Sequence, residues 1–502
     1  MHRSEPCVKL EILFDGIKTV RKIHWAPQKT FKKITADSRN IEKGDVFVAC
    51  PGSRMNGHDF LMQAVQAEAS VLVYEHLPED LTLPPGVTGV EVQNSQACLT
   101  ALLNRFHDFP DRSVKLIGTT GTNGKTTISY LLHQLLGRSS RTAYLGTLWY
   151  ELPSQKISAP NTTPGPEVLI PLLADMRRGE VRYCVMEVSS HALHQSRVHG
   201  LEFELGIFTQ LTQDHMDYHK TQENYFQAKR LLFATEPPPR RQLINRDCAF
   251  GRRLLKEYPS AASFSLEGEA DYRAKNIEAT FRGSSFLFCY KNREIPFLTR
   301  LPLRHNVANA LAILGALEML GYDPADFKEH FADIQGIPGR LERVSGNVEF
   351  DVFVDYAHTP DAFDNVLREA RKFATGRILT VFGCGGDRDR IKRPQMTEIA
   401  CRYSDEVILT TDNPRSEDPV SILKDMKTGI SKRSDLNCVI HEYLDREFAI
   451  QEAVSMAQPG DVVLILGKGH EDYQILGDRK IPFDDRAVAR EALQRKSRVF
   501  LS

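Results

Sequence analysis

The chain has 502 residues, too many for one core, so roughly two to four domains are expected. Lys plus Arg is 64 and Asp plus Glu is 65, a net charge of −1 that gives no support to general nucleic-acid binding but leaves room for a local basic site. No apolar run reaches the length of a membrane span, Met1 to Lys9 lacks the charged-then-apolar order of a secretion signal, and the 9 cysteines are scattered without a C-x-x-C pair.

Reduced thiols in a cytoplasmic protein are the expectation, with Cys184 packing inside an apolar strand. The first segment carries short apolar runs at Asp45 to Ala49 and Ala69 to Tyr74, separated by polar turns, and reads as a small α/β unit. Pro84-Pro85-Gly86 and Phe109-Pro110-Asp111 break the chain before the next unit.

Val114 to Ile117 reads as a strand, and Gly118, Gly121 and Gly124 then allow a tight turn whose amides can face an anion. The helix that follows places Ile128, Leu131, Leu132, Leu135 and Leu136 on one face, with Gly137 as its stop. The run Gly121, Thr122, Asn123, Gly124, Lys125, Thr126, Thr127 therefore predicts a phosphate-binding loop, with Lys125 reaching terminal phosphates and Thr126 offering a hydroxyl to magnesium. Its first glycine stands one place early for the common spacing, and a glycine turn that binds nothing is the alternative.

Tyr183 to Met186 predicts a buried strand ending in Glu187, where a nucleotide-bound magnesium would need an oxygen ligand; a helix-capping role for Glu187 is the competing assignment. A second strand, Leu205 to Phe208, runs into a polar stretch holding Asp214 and His215, and His215 is either a ligand or a structural histidine. Lys229 lies four residues from both Tyr225 and Phe233, so helical spacing puts it on an aromatic face. Desolvation there would favour a neutral amine that carbon dioxide can convert to a metal-binding carbamate; a packed stem with its head in water is the simpler alternative.

Pro237-Pro238-Pro239-Arg240-Arg241 is expected to be a surface loop, and Ile334 to Gly339 a linker. Beyond it, strands at Val348 to Asp355, Arg377 to Phe382, Glu406 to Leu409 and Asp461 to Leu466 alternate with helices. The expected fold class is α/β in three domains: a small N-terminal unit (1–96), a central P-loop ATPase-type mostly parallel sheet (97–337), and a C-terminal Rossmann-like doubly wound unit (338–502).

These motifs, taken in order, resemble the Mur ligases, the ATP-dependent amide-forming enzymes of peptidoglycan precursor synthesis, whose phosphate loop has the glycine spacing seen here. The resemblance runs through Asp37-Ser38-Arg39, Gly121 to Thr127, Asn161-Thr162-Thr163, Glu187 to His191, Lys229, His305 to Asn309, Gly339-Arg340, Asp355 to Asp361 and three C-terminal motifs. It implies that Lys125, Glu187, His215 and Lys229 are catalytic, with Thr126, Glu187, His215 and carbamylated Lys229 serving as ligands of two magnesium ions. It also implies ATP contacts at Asn306, Asn309, Arg340, Asp355 and His358.

The UDP end of the substrate is implied at Ala36, Ser38, Ser53, Arg54 and Met55, and its muramoyl-peptide part at Asn161, Thr162, Thr163, Ser189, Gln195 and Arg197. Without the resemblance, Thr162 and Thr163 could be loop residues, Ser189 a helix cap and Asn309 an exposed polar position. Asp412-Asn413-Pro414-Arg415 is similar to the signature of the members that add meso-2,6-diaminopimelate. Two further runs, Gly383 to Arg388 and Gly467 to Gln474, support that likeness.

Arginine forks at Arg388 and Arg415 suit the distal carboxylate of that diamino acid, Asp412 and Glu471 its ammonium, and Asn413, Pro414 and Gly467 complete the set. A simple turn at Asp412 to Arg415 is compatible with this role. The implied partners are ATP, UDP-MurNAc-L-Ala-D-Glu and diaminopimelate, with no nucleic acid and no membrane insertion, acting on a monomer. A lysine-adding or folylpolyglutamate ligase and a nucleotide-dependent switch remain the alternatives.

Overall fold

The computed structural model describes residues 8–52, 55–334, 336–344, 346–430 and 438–500, so the expected uridine-loop residues Ser53 and Arg54 lie outside the described residues. Near the N-terminus a 5-stranded sheet runs Arg21–Ile23, Thr88–Glu91, Val71–Tyr74, Val46–Val48, Ile34–Thr35, parallel except for its first strand. Two of its three inner strands are the apolar runs expected there, and every residue of Val46–Val48 and Val71–Tyr74 is buried.

The central sheet has 11 strands, ordered Gln155–Ile157, Tyr150–Leu152, Thr142–Leu145, Tyr183–Glu187, Lys115–Thr120, Phe203–Phe208, Arg241–Asn245, Ala262–Ser265, Tyr272–Thr280, Gly283–Tyr290, Arg293–Thr299. From Thr142–Leu145 to Tyr272–Thr280 neighbouring strands are parallel. Side chains alternate between two cores: Leu116 and Cys184 face one, Ile117 and Val185 the other. The first core takes Leu169 and Leu173 of the Pro166–Arg178 helix, and the second takes Leu131 and Leu135 of Lys125–Leu136 together with the Arg304–Met319 helix. Helices thus cover both faces, as a buried parallel sheet requires.

The sheet differs from the sequence expectation at its edges, where an antiparallel hairpin extends one side and the 272–299 meander the other. The expected loop at Pro237 to Arg241 is also shorter, because Pro239 is buried near Gly206 and Arg241 opens a strand. The Gln222–Arg230 helix ends before Phe233, so of the two aromatics expected beside Lys229 Tyr225 alone shares its helix.

The C-terminal sheet has 6 strands, ordered Glu342–Arg343, Asp351–Asp355, Val462–Leu466, Ile378–Phe382, Glu406–Leu409, Val439–Glu442, parallel except for the first. Phe363 and Leu367 cover one face and Ile450 and Val454 the other. Register brings Asp355 beside Leu466 and Leu409 beside Phe382, so four loops leave from one edge of the sheet. Those loops carry most of the candidate acceptor residues. Among the described residues, Cys50, Cys98, Cys184, Cys248, Cys289, Cys384, Cys401 and Cys438 are free thiols.

Candidate active site

The glycine-rich turn leaves the Lys115–Thr120 strand and opens the Lys125–Leu136 helix at Gly124, whose φ of +88° is left-handed. A Cβ at Gly124 would lie 2.6 Å from Asn309 Oδ1, so the loop sits directly against that buried asparagine. Asn309 in turn donates to Asn306 Oδ1 at 2.9 Å, and Asn306 to the Pro302 carbonyl at 2.7 Å. The exposed-position alternative for Asn309 is therefore excluded. Lys125 Nζ donates to the Gly121 and Thr122 carbonyls, both at 2.9 Å, and burial lowers its pKa.

Glu187 is fully buried at the end of its strand, in register with Thr119 of the neighbouring strand. Its Oε2 accepts from Thr126 Oγ1 at 2.9 Å and from Thr147 Oγ1 at 3.1 Å, while Oε1 accepts from Tyr144 at 2.7 Å and from the Thr147 amide at 2.8 Å. These donors keep the carboxylate oriented toward the loop instead of capping a helix; Ser189 performs that capping, accepting from the Ala192 amide. Burial and the Glu187 charge raise the Tyr144 hydroxyl well above the usual phenol range, so it acts only as a donor here.

Lys229 is 1% exposed, donates to the Gly121 carbonyl at 2.7 Å and lies 4.5 Å over the Tyr225 ring. Burial, reinforced by the Lys125 charge, holds its pKa well below the ordinary lysine value. The alternative of a lysine head in water is thus excluded. His215, at a left-handed φ of 55°, faces His191 with ring centroids 4.8 Å apart and is half exposed beside Asp214. Desolvation lowers its pKa to about 4 against the pull of Asp214, leaving a neutral imidazole. Lys229 and the loop thus meet at Gly121, as Thr126 meets Glu187; His215 stands further out, on the cleft wall.

Beside Glu187, Thr163 donates to the Glu187 carbonyl at 2.9 Å and accepts from the Ser189 amide at 3.0 Å. Arg197 donates to the Thr163 carbonyl at 2.8 Å and grips Gln195 Oε1 through two nitrogens, at 2.7 and 3.1 Å. Thr162 pairs with Thr147 across 3.2 Å, and Asn161 is exposed on the same rim. Thr163, Ser189, Gln195 and Arg197 thus form one hydrogen-bonded cluster, with Thr162 and Asn161 beside it on the cleft lining. Ala36 lies on the N-terminal unit, held by its amide to Glu167 Oε1 at 3.0 Å, with Ser38 two residues on and Met55 65% exposed.

Across the cleft, Asp412 and Asn413 are buried and Asn413 Nδ2 donates to Glu471 at 2.9 Å. Arg415 Nη1 donates to the Gly386 carbonyl at 2.7 Å, tying this loop to the one that carries exposed Arg388. Pro414 is buried, and Gly467 is close enough to Asp412 that a Cβ there would lie 3.1 Å from Oδ2. One cleft of about 1840 Å³ is lined by Thr147, His191 and His215 from the central unit and by His358, Arg388, Asp412, Arg415, Gly467 and Glu471 from the C-terminal one.

The two units touch at the loop itself. Arg340 Nη2 donates to Thr126 Oγ1 at 3.0 Å with its guanidinium 4.8 Å over the Tyr356 ring. Asp355 accepts from the Leu341 and Ala357 amides, both at 2.7 Å, which fixes the turn that presents Arg340, and His358 Nδ1 lies 2.9 Å from the Tyr356 carbonyl. Three contributors were missed by sequence reasoning. Asp361 accepts from Asn123 at 3.2 Å and from Thr212 at 2.7 Å; Thr147 holds Glu187; Lys468 is buried between Asp412 and Glu471. The Asp361 and Lys468 positions were signalled only by belonging to motifs already noted, and Thr147 by nothing local.

Comparison with known proteins gives three family matches: the Mur ligase middle domain over residues 119–317, the Mur ligase glutamate ligase domain over 339–469, and the Mur ligase family catalytic domain over 30–113. UDP-N-acetylmuramoyl-L-alanyl-D-glutamate–2,6-diaminopimelate ligase 1 of Clostridium acetobutylicum is 41% identical over 462 residues, covering 91% of this chain and 94% of that protein. A solved structure of a UDP-N-acetylmuramoyl-L-alanyl-D-glutamate–2,6-diaminopimelate ligase aligns with TM-score 0.69 at 31% identity, covering 98% of this chain and 99% of the other. The MurF ligase of Thermotoga maritima in complex with ADP shares the fold, with TM-score 0.58 at 18% identity over 92% of this chain and 96% of that one.

Proposed function

The chain belongs to the Mur ligase family, and on that premise we propose that it joins meso-2,6-diaminopimelate to the D-glutamate of UDP-MurNAc-L-Ala-D-Glu while ATP becomes ADP and phosphate. The observation that carries this assignment is the single cleft with Thr147, next to the Glu187–Thr126 pair, on one wall and Asp412 to Arg415 on the other. Phosphate transfer and acceptor binding then share one space. We assign the UDP end of the substrate to 1–96, ATP to 97–337 and the acceptor to 338–502, in a monomer working in the cytoplasm. No helix among the described residues is long and apolar enough to cross a membrane.

The substrate carboxylate attacks the γ-phosphorus of ATP, the bond to ADP breaks, and an acyl phosphate forms. The amine of diaminopimelate then attacks the acyl carbon, and phosphate leaves from the tetrahedral intermediate with the carbonyl restored. No protein nucleophile is needed. Loop amides, Lys125 and Arg340 offset the charge of two anionic reactants, in a site where burial strengthens each interaction. Arg197 and the Thr163–Ser189 pair orient the carboxylate-bearing peptide on the wall beside Glu187.

The Thr126 hydroxyl and the Glu187 carboxylate are the oxygen donors that would hold magnesium, which accepts few protein ligands, and we assign His215, further out on the cleft wall, to the surroundings of that ion. A neutral Lys229 amine can add carbon dioxide, releasing a proton and giving an anionic carbamate as a further oxygen donor. Bound there, magnesium would supply charge neutralisation on the transferring phosphoryl group. Gly339, with φ of +65°, packs against Gly469 so closely that a side chain would not fit, and we assign Gly336 to Gly339 as the hinge on which the C-terminal unit swings.

The test is ADP release with UDP-MurNAc-L-Ala-D-Glu and either meso-diaminopimelate, L-lysine or no amine. Rapid release with diaminopimelate alone is expected. Equal rates with both amines would remove the acceptor assignment, and full release without an amine would favour a nucleotide switch.

A further inference from the structure

Lys468 has a side chain with no exposure at all, yet it is not buried among apolar groups. Its Nζ lies 3.5 Å from Asp412 Oδ1 and donates to Glu471 Oε2 at 3.2 Å and to Asn413 Oδ1 at 3.3 Å. A buried ammonium persists only when its charge and its protons are matched in this way. The partners are the side chains assigned above to the distal ammonium of the acceptor. Those carboxylates are thus already partly neutralised before a substrate arrives: two negative charges against one positive leave one net negative charge.

We propose that Lys468 is a positioning and specificity-determining residue that sets the charge of the acceptor pocket, so that the pocket takes a zwitterionic amino-acid end in preference to a simple ammonium. The inference rests on the diaminopimelate assignment. One net negative charge at Asp412, Glu471 and Lys468 accepts one ammonium, and the Arg415 and Arg388 forks accept one carboxylate. Without the Lys468 charge the pocket would hold two uncompensated carboxylates. These would attract the side-chain ammonium of L-lysine and repel the distal carboxylate of diaminopimelate. Lys468 also fixes geometry, since Asn413 Oδ1 accepts from both its Nζ and the Ile475 amide at 2.9 Å, which holds the loop after Gly467 against the Asp412 loop.

The full-length enzyme tests this with Lys468→Met, Lys468→Gln and Lys468→Arg, measuring KM and kcat for meso-diaminopimelate, L-lysine, ATP and the UDP-dipeptide. The neutral variants are expected to raise KM for diaminopimelate at least about tenfold. They should lower the diaminopimelate-to-lysine ratio of kcat/KM by a similar factor, leave KM for ATP and the UDP-dipeptide unchanged, and be partly rescued in Lys468→Arg. If Lys468→Met does not fold, Lys468→Gln carries the same ratio measurement. An unchanged acceptor ratio, or an equal rise in every KM, would overturn the proposal. A wild-type enzyme that uses neither amine would instead overturn the diaminopimelate assignment beneath it.

Discussion

Arg340 reaches from the C-terminal unit to Thr126 beside the glycine-rich turn, and replacing it with lysine isolates what a planar fork contributes. Its Nη2 donates to Thr126 Oγ1 at 3.0 Å, its face lies 4.8 Å over the Tyr356 ring, and its Nε is buried without an acceptor. A γ-phosphate oxygen in this corner would satisfy that nitrogen. Arg340→Lys keeps the charge but can offer only a point contact, so it forfeits one charge-assisted hydrogen bond to Thr126 or to phosphate, about 1.5–3 kcal/mol. Adding the lost stacking, kcat/KM for ATP should fall roughly 100-fold. Coupled ADP release at saturating acceptor and UDP-dipeptide measures this, and the KM for UDP-dipeptide should stay within about twofold of wild type. If Arg340→Lys retains kcat/KM for ATP within about threefold of wild type, the fork has no part in phosphate binding.

Arg446 and Asp485 form a fully buried pair through two 2.7 Å hydrogen bonds, and Arg446 also donates to the Leu466 and Thr411 carbonyls, immediately before Gly467 and Asp412. Arg446→Met should therefore destabilise the protein by about 3–5 kcal/mol in urea unfolding, whereas Arg446→Met with Asp485→Leu should cost clearly less, because no buried charge is left alone. Burial pushes the His219 pKa down to about 4 and the His470 pKa down to about 3, so an unfolded chain binds more protons than the folded one below the ordinary histidine value. Stability from these groups is fully present above about pH 6.5 and is lost as pH falls toward the folded values; urea midpoints should drop between pH 7.5 and about pH 5. For Lys229, activity should fall in carbon-dioxide-depleted buffer and return on adding labelled bicarbonate, with a carbamate carbon signal in the NMR spectrum. An enzyme indifferent to carbon dioxide would leave Lys229 as a plain amine.

Local pattern carried a large share of the fold. Tyr183 to Met186 and Leu205 to Phe208 are continuous apolar runs because both faces of a parallel strand are buried, and the phosphate loop announces itself through glycines between strand and helix. The antiparallel edges were not legible in the same way. In Gly283–Tyr290 the polar Ser284 is buried while Leu287 is only partly so, which spoils the apolar–polar alternation that marks a half-buried strand. Within the site, Glu187 could be placed because a strand end is a local feature. The pairings that complete it could not: Asn123 meets Asp361 across 238 positions and Lys468 meets Asn413 across 55. A lysine between two glycines looks like a solvated loop residue until the fold brings Asp412 and Glu471 around it.

The mechanism requires the D-glutamate carboxylate oxygen to become bonded to phosphorus before the amide forms. UDP-MurNAc-L-Ala-D-Glu labelled with oxygen-18 in the reacting carboxylate, turned over with ATP and meso-diaminopimelate, reports that bond. An acyl phosphate requires one labelled oxygen to leave with each inorganic phosphate. Phosphate without label, formed in step with amide product, would contradict it.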